Sequence, residues 1–227
     1  MWNGFKARLD YSFNPYGDEG RYDATNSDYN KGHLWGATFN YDNGPLSLFL
    51  SYVASKNEGR DGVSANAKIG TMAGNDWSGI KGGAKYNLAL GGGTLQLAAI
   101  IDHSKMKNVT ISATNSFLLG TPAMTDETLK RTSWLLPVKY ITGPHTFSLS
   151  YAQAGKTSNV ADSKAKMYNL GYQYALSKRS YVGMNYGEVR NDDGAAYQIP
   201  LSGALTGSAL AYGEKARVFS ATFAHLF

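Results

Sequence analysis

Apolar and polar residues alternate along most of this chain with a period of two, and the alternation recurs in ten segments. A period of two belongs to the β-strand, whose successive side chains point to opposite faces. The segments are Phe5 to Phe13, about His33 to Tyr41, Leu46 to Ala54, about Trp77 to Leu88, Thr94 to Asp102, about Arg131 to Tyr140, about His145 to Gln153, about Lys166 to Tyr174, Ser180 to Glu188 and about Lys215 to Phe227. In the first, Phe5, Ala7, Leu9, Tyr11 and Phe13 share one face, and Lys6, Arg8, Asp10 and Ser12 share the other. In the last, Phe219, Ala221, Phe223, His225 and Phe227 share a face, and the chain stops on an aromatic. A free terminus is usually polar and frayed. An apolar terminal strand makes sense where the solvent on that face is lipid.

The connections sort by length. Short turns lie near 42–45, 89–93, 141–144 and 175–179, and long polar segments near 14–31, 55–76, 104–128, 154–165 and 189–214. Short turns on one side and long loops on the other are the pattern of an outer-membrane barrel, and a β-sandwich has no reason to sort its loops this way. Apolar segments of about 9–11 residues match a tilted membrane strand. Aromatics gather at strand ends, at Tyr11, Phe13, Tyr41, Tyr86, Tyr140, Tyr174 and Phe227, as interfacial girdles do. The pattern predicts an all-β, transmembrane, antiparallel up-and-down β-barrel, with ten strands in a single domain over residues 1–227, short periplasmic turns and long extracellular loops.

Composition adds limits. No run approaches the ~20 apolar residues of a membrane helix, so a membrane role must be β. The 26 Gly and 16 Tyr would suit a soluble β-sandwich equally well; the loop sorting is what separates the two. With no Cys there is no disulfide framework or Cys-ligated metal. His33, His103, His145 and His225 sit in separate segments without metal-ligand spacing, so no metal site is expected, and no cofactor. The net charge of +5 raises nucleic acid as a partner, but the cations alternate with apolar residues rather than forming a patch, which argues against it. Gly91 to Gly93 lacks the Lys and helix of a phosphate loop.

Parity selects the residues that would line a lumen. Lys6, Arg8, Lys81, Lys85, Arg131 and Lys139 face inward, and Asp10 and Asp102 are the clear acidic residues among them. Inward cations in a narrow aqueous channel raise the local anion concentration. The bland alternative is rim charges solvated by lumen water. Lys215 and Arg217 fall on the lipid face at the extracellular end, where snorkelling explains them. Two rival functions stay open. A plugged barrel serving as an adhesin or structural protein would need large inward apolar groups, and Phe49, Ile100, Leu135 and Tyr181 are inward. A surface hydrolase would need a constellation at the rim. The adjacent acidic pair Asp192-Asp193 lies in Arg190-Asn191-Asp192-Asp193-Gly194, a turn sequence with no accompanying His or Ser motif, so an enzyme is not expected.

Asn43-Gly44-Pro45-Leu46-Ser47 followed by an alternating strand resembles the periplasmic turn of Gram-negative general porins. The run from Tyr168 through Gly171-Tyr172-Gln173-Tyr174 to Ser177-Lys178-Arg179 is similar to their penultimate turn. Phe223-Ala224-His225-Leu226-Phe227 resembles their last strand, which ends in Phe. The likeness spans the chain, but those porins are sixteen-stranded. It therefore implies the C-terminal ten strands of such a barrel, without the N-terminal strands and without the inward-folded loop whose acidic residues form one wall of the constriction. It also implies passive diffusion of small hydrophilic solutes and ions across the outer membrane, a basic ladder on the barrel wall, lipid as the surrounding partner, and a homotrimer for the full-length protein.

Overall fold

The computed structural model describes residues 4–13, 33–56, 76–111, 124–199 and 211–226. The long segments near 14–31 and 55–76 lie wholly or largely outside these, as does the terminal Phe227. The described residues form ten strands: β1 (Phe5–Phe13), β2 (His33–Asn43), β3 (Leu46–Lys56), β4 (Asp76–Leu90), β5 (Gly93–Ile111), β6 (Met124–Thr142), β7 (His145–Ala154), β8 (Ala165–Ala175), β9 (Ser180–Asn191) and β10 (Lys215–His225). Each pairs antiparallel with the next in one sheet ordered β1 to β10. This is the up-and-down meander that the alternation predicts. β1 pairs only with β2 and β10 only with β9, so within the described residues the sheet is open.

Turn chemistry fixes the register. Asn43 pairs with Leu46, Leu90 with Gly93, and Thr142 with His145, which leaves two residues in each turn. Gly44, Gly91, Gly92 and Gly143 there have φ of +54°, +56°, +75° and +53°. Two-residue hairpins need this left-handed backbone because its twist matches that of the strands, and glycine adopts it without a Cβ clash.

The register then sorts the faces, since a slip of one residue would exchange them. Apart from Met167, every exposed large apolar side chain on the strands falls on the face predicted to be outward, among them Leu9 at 79%, Leu149 at 56%, Leu170 at 58% and Phe219 at 69% exposure. A continuous exposed apolar band across ten strands is far larger than a water-soluble surface tolerates. Aromatic pairs border it at both ends. Phe5–Tyr41 and Phe147–Tyr172 sit toward the short turns, with centroids 4.5 and 5.1 Å apart. Trp35–Tyr52 and Trp134–Tyr151 sit toward the long loops, both at 4.9 Å.

The sequence places a long polar loop at 104–128, yet β5 and β6 run on as a hairpin of 19-residue strands with register shifts between Met106 and Ile111. Beyond the band Lys105, Lys107 and Lys130 mix with Met106, Val109 and Leu129, and the register shift at Val109 breaks strict alternation. The buried apolar cluster of the described residues lies here: Val109 and Val160, flanked by Met106 and Leu129. The segment after β7 supplies Val160 by continuing along β6, through Gly155 N–H to Thr132 O at 2.9 Å and Ser158 N–H to Lys130 O at 2.9 Å.

Candidate functional site

The polar face of the sheet carries all eight residues predicted to line a lumen. The register places them on successive rows of paired residues. Lys139 pairs with Gln96 nearest the short turns. Lys85 follows opposite Ser47, and then Lys6 opposite Asn40. Arg8, Thr38, Ser51, Lys81 and Asp102 form one row, and Asp10 and Arg131 lie on the next through Gly36, Val53, Gly79 and Ser104. At about 3.4 Å per residue the eight cover roughly 27 Å along the strands. They form a ladder rather than a ring.

Side-chain partners divide the cations. Lys6 Nζ lies 3.3 Å from Asp42, Arg8 Nε 2.7 Å from Asp10, and Lys81 Nζ 3.7 Å from Asp102. Among the described residues no carboxylate pairs with Lys85, Arg131 or Lys139. Six cations thus face three carboxylates, and the excess sits on those three. Lys85 and Lys139 line one concavity with Gln96, Ala98 and Ser148. Asp42 belongs to the polar face although it reads as a turn residue in the sequence. It lies at the end of β2 beside the turn, within reach of Lys6.

A second concavity, of about 400 Å³, lies toward the long-loop end and includes Lys81, Asp102, Ile100, Leu135, Tyr197 and Gln198 in its lining. Tyr197 comes from the segment after β9, which sequence patterning leaves as a featureless loop. Asn191 fixes it. The amide Nδ2 donates to Tyr197 O at 3.0 Å and to Glu214 O at 2.8 Å, and Oδ1 accepts from Tyr197 N–H at 2.9 Å. One side chain at the end of β9 thereby ties both arms of the loop and turns Tyr197 over the polar face. Arg131 Nη1 donates to the Tyr197 hydroxyl, and the guanidinium carbon lies 5.6 Å from the ring centroid. No period-two pattern signals this contact, because it joins β6 to a loop 66 residues away.

The inward apolar residues that favour a plugged barrel lie mainly on one row, where Asn40 pairs with Phe49, Phe49 with Gly83 and Ile100 with Leu135. Phe49 lies flat against the sheet: a Cβ built on Gly83 would sit 2.4 Å from its ring and 2.9 Å from Ala99 O. A ring laid over a cross-strand glycine covers exposed backbone instead of projecting into the lumen. At the rim, residues 192–195 form the turn that the sequence predicts, closed by Ala195 N–H donating to Asp192 O at 2.8 Å, and Asp192 and Gly194 N–H tie it to Lys164 O and Asp162 O at 3.0 and 2.9 Å. Among the described residues no three of His, Cys, Asp and Glu converge as metal ligands.

Known proteins resemble this chain in sequence and fold. Residues 1–194 match the Gram-negative porin family. Outer membrane porin protein 32 of Delftia acidovorans is 28% identical over 228 residues, an alignment covering the whole chain and 54% of that relative. The solved anion-selective porin from Comamonas acidovorans superposes with a TM-score of 0.70 at 24% identity, over the whole chain and 57% of that structure. The chain thus spans about half the length of these relatives. The exposed apolar band is then a lipid-facing surface, and the chain belongs to the Gram-negative porin family of outer-membrane β-barrels.

Proposed function

We propose that these ten strands form part of the wall of a passive outer-membrane channel for small hydrophilic solutes and ions, and that the channel prefers anions. The observation that carries the reading is the polar face, where six cations meet three carboxylates and Lys85, Lys139 and Arg131 form no salt bridge among the described residues. Fixed positive charge in a water-filled passage concentrates anions and depletes cations. A relative carrying the name of an anion-selective porin is consistent with this. The open edges of β1 and β10 are satisfied when further strands of the same barrel pair with them, because an unpaired backbone edge is not tolerated in lipid. The function needs no chemical step and no cofactor. The assembled protein is a homotrimer, as the family resemblance suggests.

The test is the reversal potential of the reconstituted protein in a salt gradient. Replacing Lys85 and Lys139 with Gln moves it toward cation permeation. An unchanged potential would remove the anion claim. A protein that inserts and folds but conducts nothing would favour the plugged-barrel reading.

A further inference from the structure

We propose that the concavity of about 400 Å³ beside Lys81 and Tyr197 is a solute-binding subsite, selective for small carboxylates with a flat apolar body, the chemistry of an aromatic monocarboxylate. The inference adds a binding step to the proposed channel and rests on that reading for its access to water. The floor is one row of the sheet. Ile100 pairs with Leu135, Leu135 with Ala152, Ala152 with Met167 and Met167 with Val189, so five apolar residues follow one another on the polar face. Met167 is 37% exposed there, the exception among the large exposed apolar side chains of the strands. Apolar surface facing water is unfavourable until something apolar covers it. A passage for hydrated ions alone has no use for such a row.

The next row supplies the depth. Asp102 pairs with Ser133, Ser133 with Ala154 and Ala154 with Ala165. On β7 and β8 the two rows therefore carry three alanines, Ala152, Ala154 and Ala165, between the larger Leu135 on β6 and Val189 on β9. Small side chains leave the sheet surface low while their neighbours stand up as walls. Leu135 and Val189 are three strand spacings apart, roughly 14 Å at about 4.8 Å each. That width admits a six-membered ring. Tyr197, tied down by Asn191 through its own N–H and C=O, lines the site from the loop after β9. The volume falls within the range of about 300–1,000 Å³ found for small-molecule sites.

The rim selects the charge. Lys81 lies beside Asp102, and Arg131 stands behind Tyr197 with no salt bridge among the described residues. Two cations against one carboxylate favour an anion. Tyr197 supplies direction. Its hydroxyl accepts from Arg131 Nη1, so its own proton is left for an acceptor, and donation from a guanidinium makes that hydroxyl the stronger donor. Arg131 also keeps a buried Nε–H without a hydrogen-bond partner among the described residues. A carboxylate at the Tyr197 hydroxyl, with its ring over Leu135, Ala152 and Met167, uses rim and floor together. An inorganic anion uses the rim alone, and a neutral arene uses the floor alone.

The experiment is equilibrium dialysis of the full-length protein in detergent against labelled benzoate, acetate and benzamide at fixed ionic strength. Acetate keeps the carboxylate without the ring, and benzamide keeps the ring without the charge. Benzoate is expected to bind at least about tenfold more tightly than acetate, which corresponds to roughly 55 Å² of apolar surface removed from water, a fraction of what one aromatic ring presents. Ala152→Leu fills the slot, and Met167→Gln makes its floor polar without changing its charge. Each is expected to weaken benzoate about fivefold, the loss of roughly 40 Å² of apolar contact, and to leave acetate unchanged. If Ala152→Leu does not fold, Met167→Gln carries the test. Equal affinity for benzoate and acetate would overturn the proposal, as would benzamide binding as tightly as benzoate or an unchanged benzoate affinity in the variants. Reversal potentials of the same preparation separate the two readings. Anion-selective current without a preference for benzoate would overturn the subsite alone, and benzoate binding without current would overturn the channel and leave the site.

Discussion

Lys85 and Lys139 offer the sharpest quantitative test, because they line one concavity of the polar face and form no salt bridge among the described residues. An ion passing about 7 Å from an ammonium group in water feels roughly 0.6 kcal/mol before screening. At 0.1 M salt the screening length is about 10 Å, which leaves roughly 0.3 kcal/mol. The sign is opposite for anion and cation, so each lysine changes the permeability ratio by about 0.6 kcal/mol, close to one RT, or roughly 2.7-fold. Lys85→Gln with Lys139→Gln is therefore expected to lower the anion-to-cation permeability ratio about sevenfold near 0.1 M. At 1 M, where the screening length is about 3 Å, the same arithmetic leaves about a 1.5-fold change. The internal control is Lys81→Gln with Asp102→Asn, which removes both members of the 3.7 Å ion pair and leaves the net charge unchanged. Reversal potentials of the reconstituted protein at the two ionic strengths measure all of this. A shift in the neutral double variant as large as that in the lysine variant would refute the reasoning, because electrostatics would then not be what discriminates. A shift that stays about sevenfold at 1 M would refute it as well.

Three further outcomes follow from the geometry. Leu149→Arg, on the exposed apolar face at 56% exposure, should cost about 2–4 kcal/mol of barrel stability, whereas Ser150→Arg on the opposite face should be tolerated; urea unfolding in lipid vesicles compares them. Gly83→Ala should destabilise by about 1–3 kcal/mol, because its new methyl meets both the Phe49 ring and Ala99 O. The added substitution Phe49→Ala should recover only part of that loss, since the backbone contact remains, and a full recovery in the same unfolding assay would contradict the account. Tyr197→Phe should keep the ring over Arg131 and remove one charge-assisted hydrogen bond, with a loss of about 1.5–3 kcal/mol of local stability visible as faster proteolysis of the loop after β9.

What the sequence discloses here depends on which environment each residue meets. Where one face meets lipid and the other water, alternation is forced, so β1, β7 and the face taken by Lys6, Arg8, Lys81 and Lys139 can be read directly from parity. The turns are legible for the same kind of reason, since Gly44 and Gly143 sit where a positive φ is required. Signal fails where both faces meet water. The ribbon of β5 and β6 beyond His103 has polar residues on each side, and the small Val109–Val160 cluster that helps to hold it is completed by a segment distant in the sequence. Contacts across the sheet fail for a different reason. The reach of Tyr197 to Arg131 depends on the Asn191 amide bridging two arms of a loop, and no local pattern encodes a bridge between positions that meet only after folding. The outward cations at the long-loop end of β8–β10 join the two cases. Parity places Arg217 and Lys215 on the lipid face and suggests no more than snorkelling. Their alignment with Arg190 and Lys166 requires the register of three strands, and the register is fixed by turns far from all four. Patterning therefore identifies the environment of each side chain, while the partners within that environment emerge only from the pairing of strands.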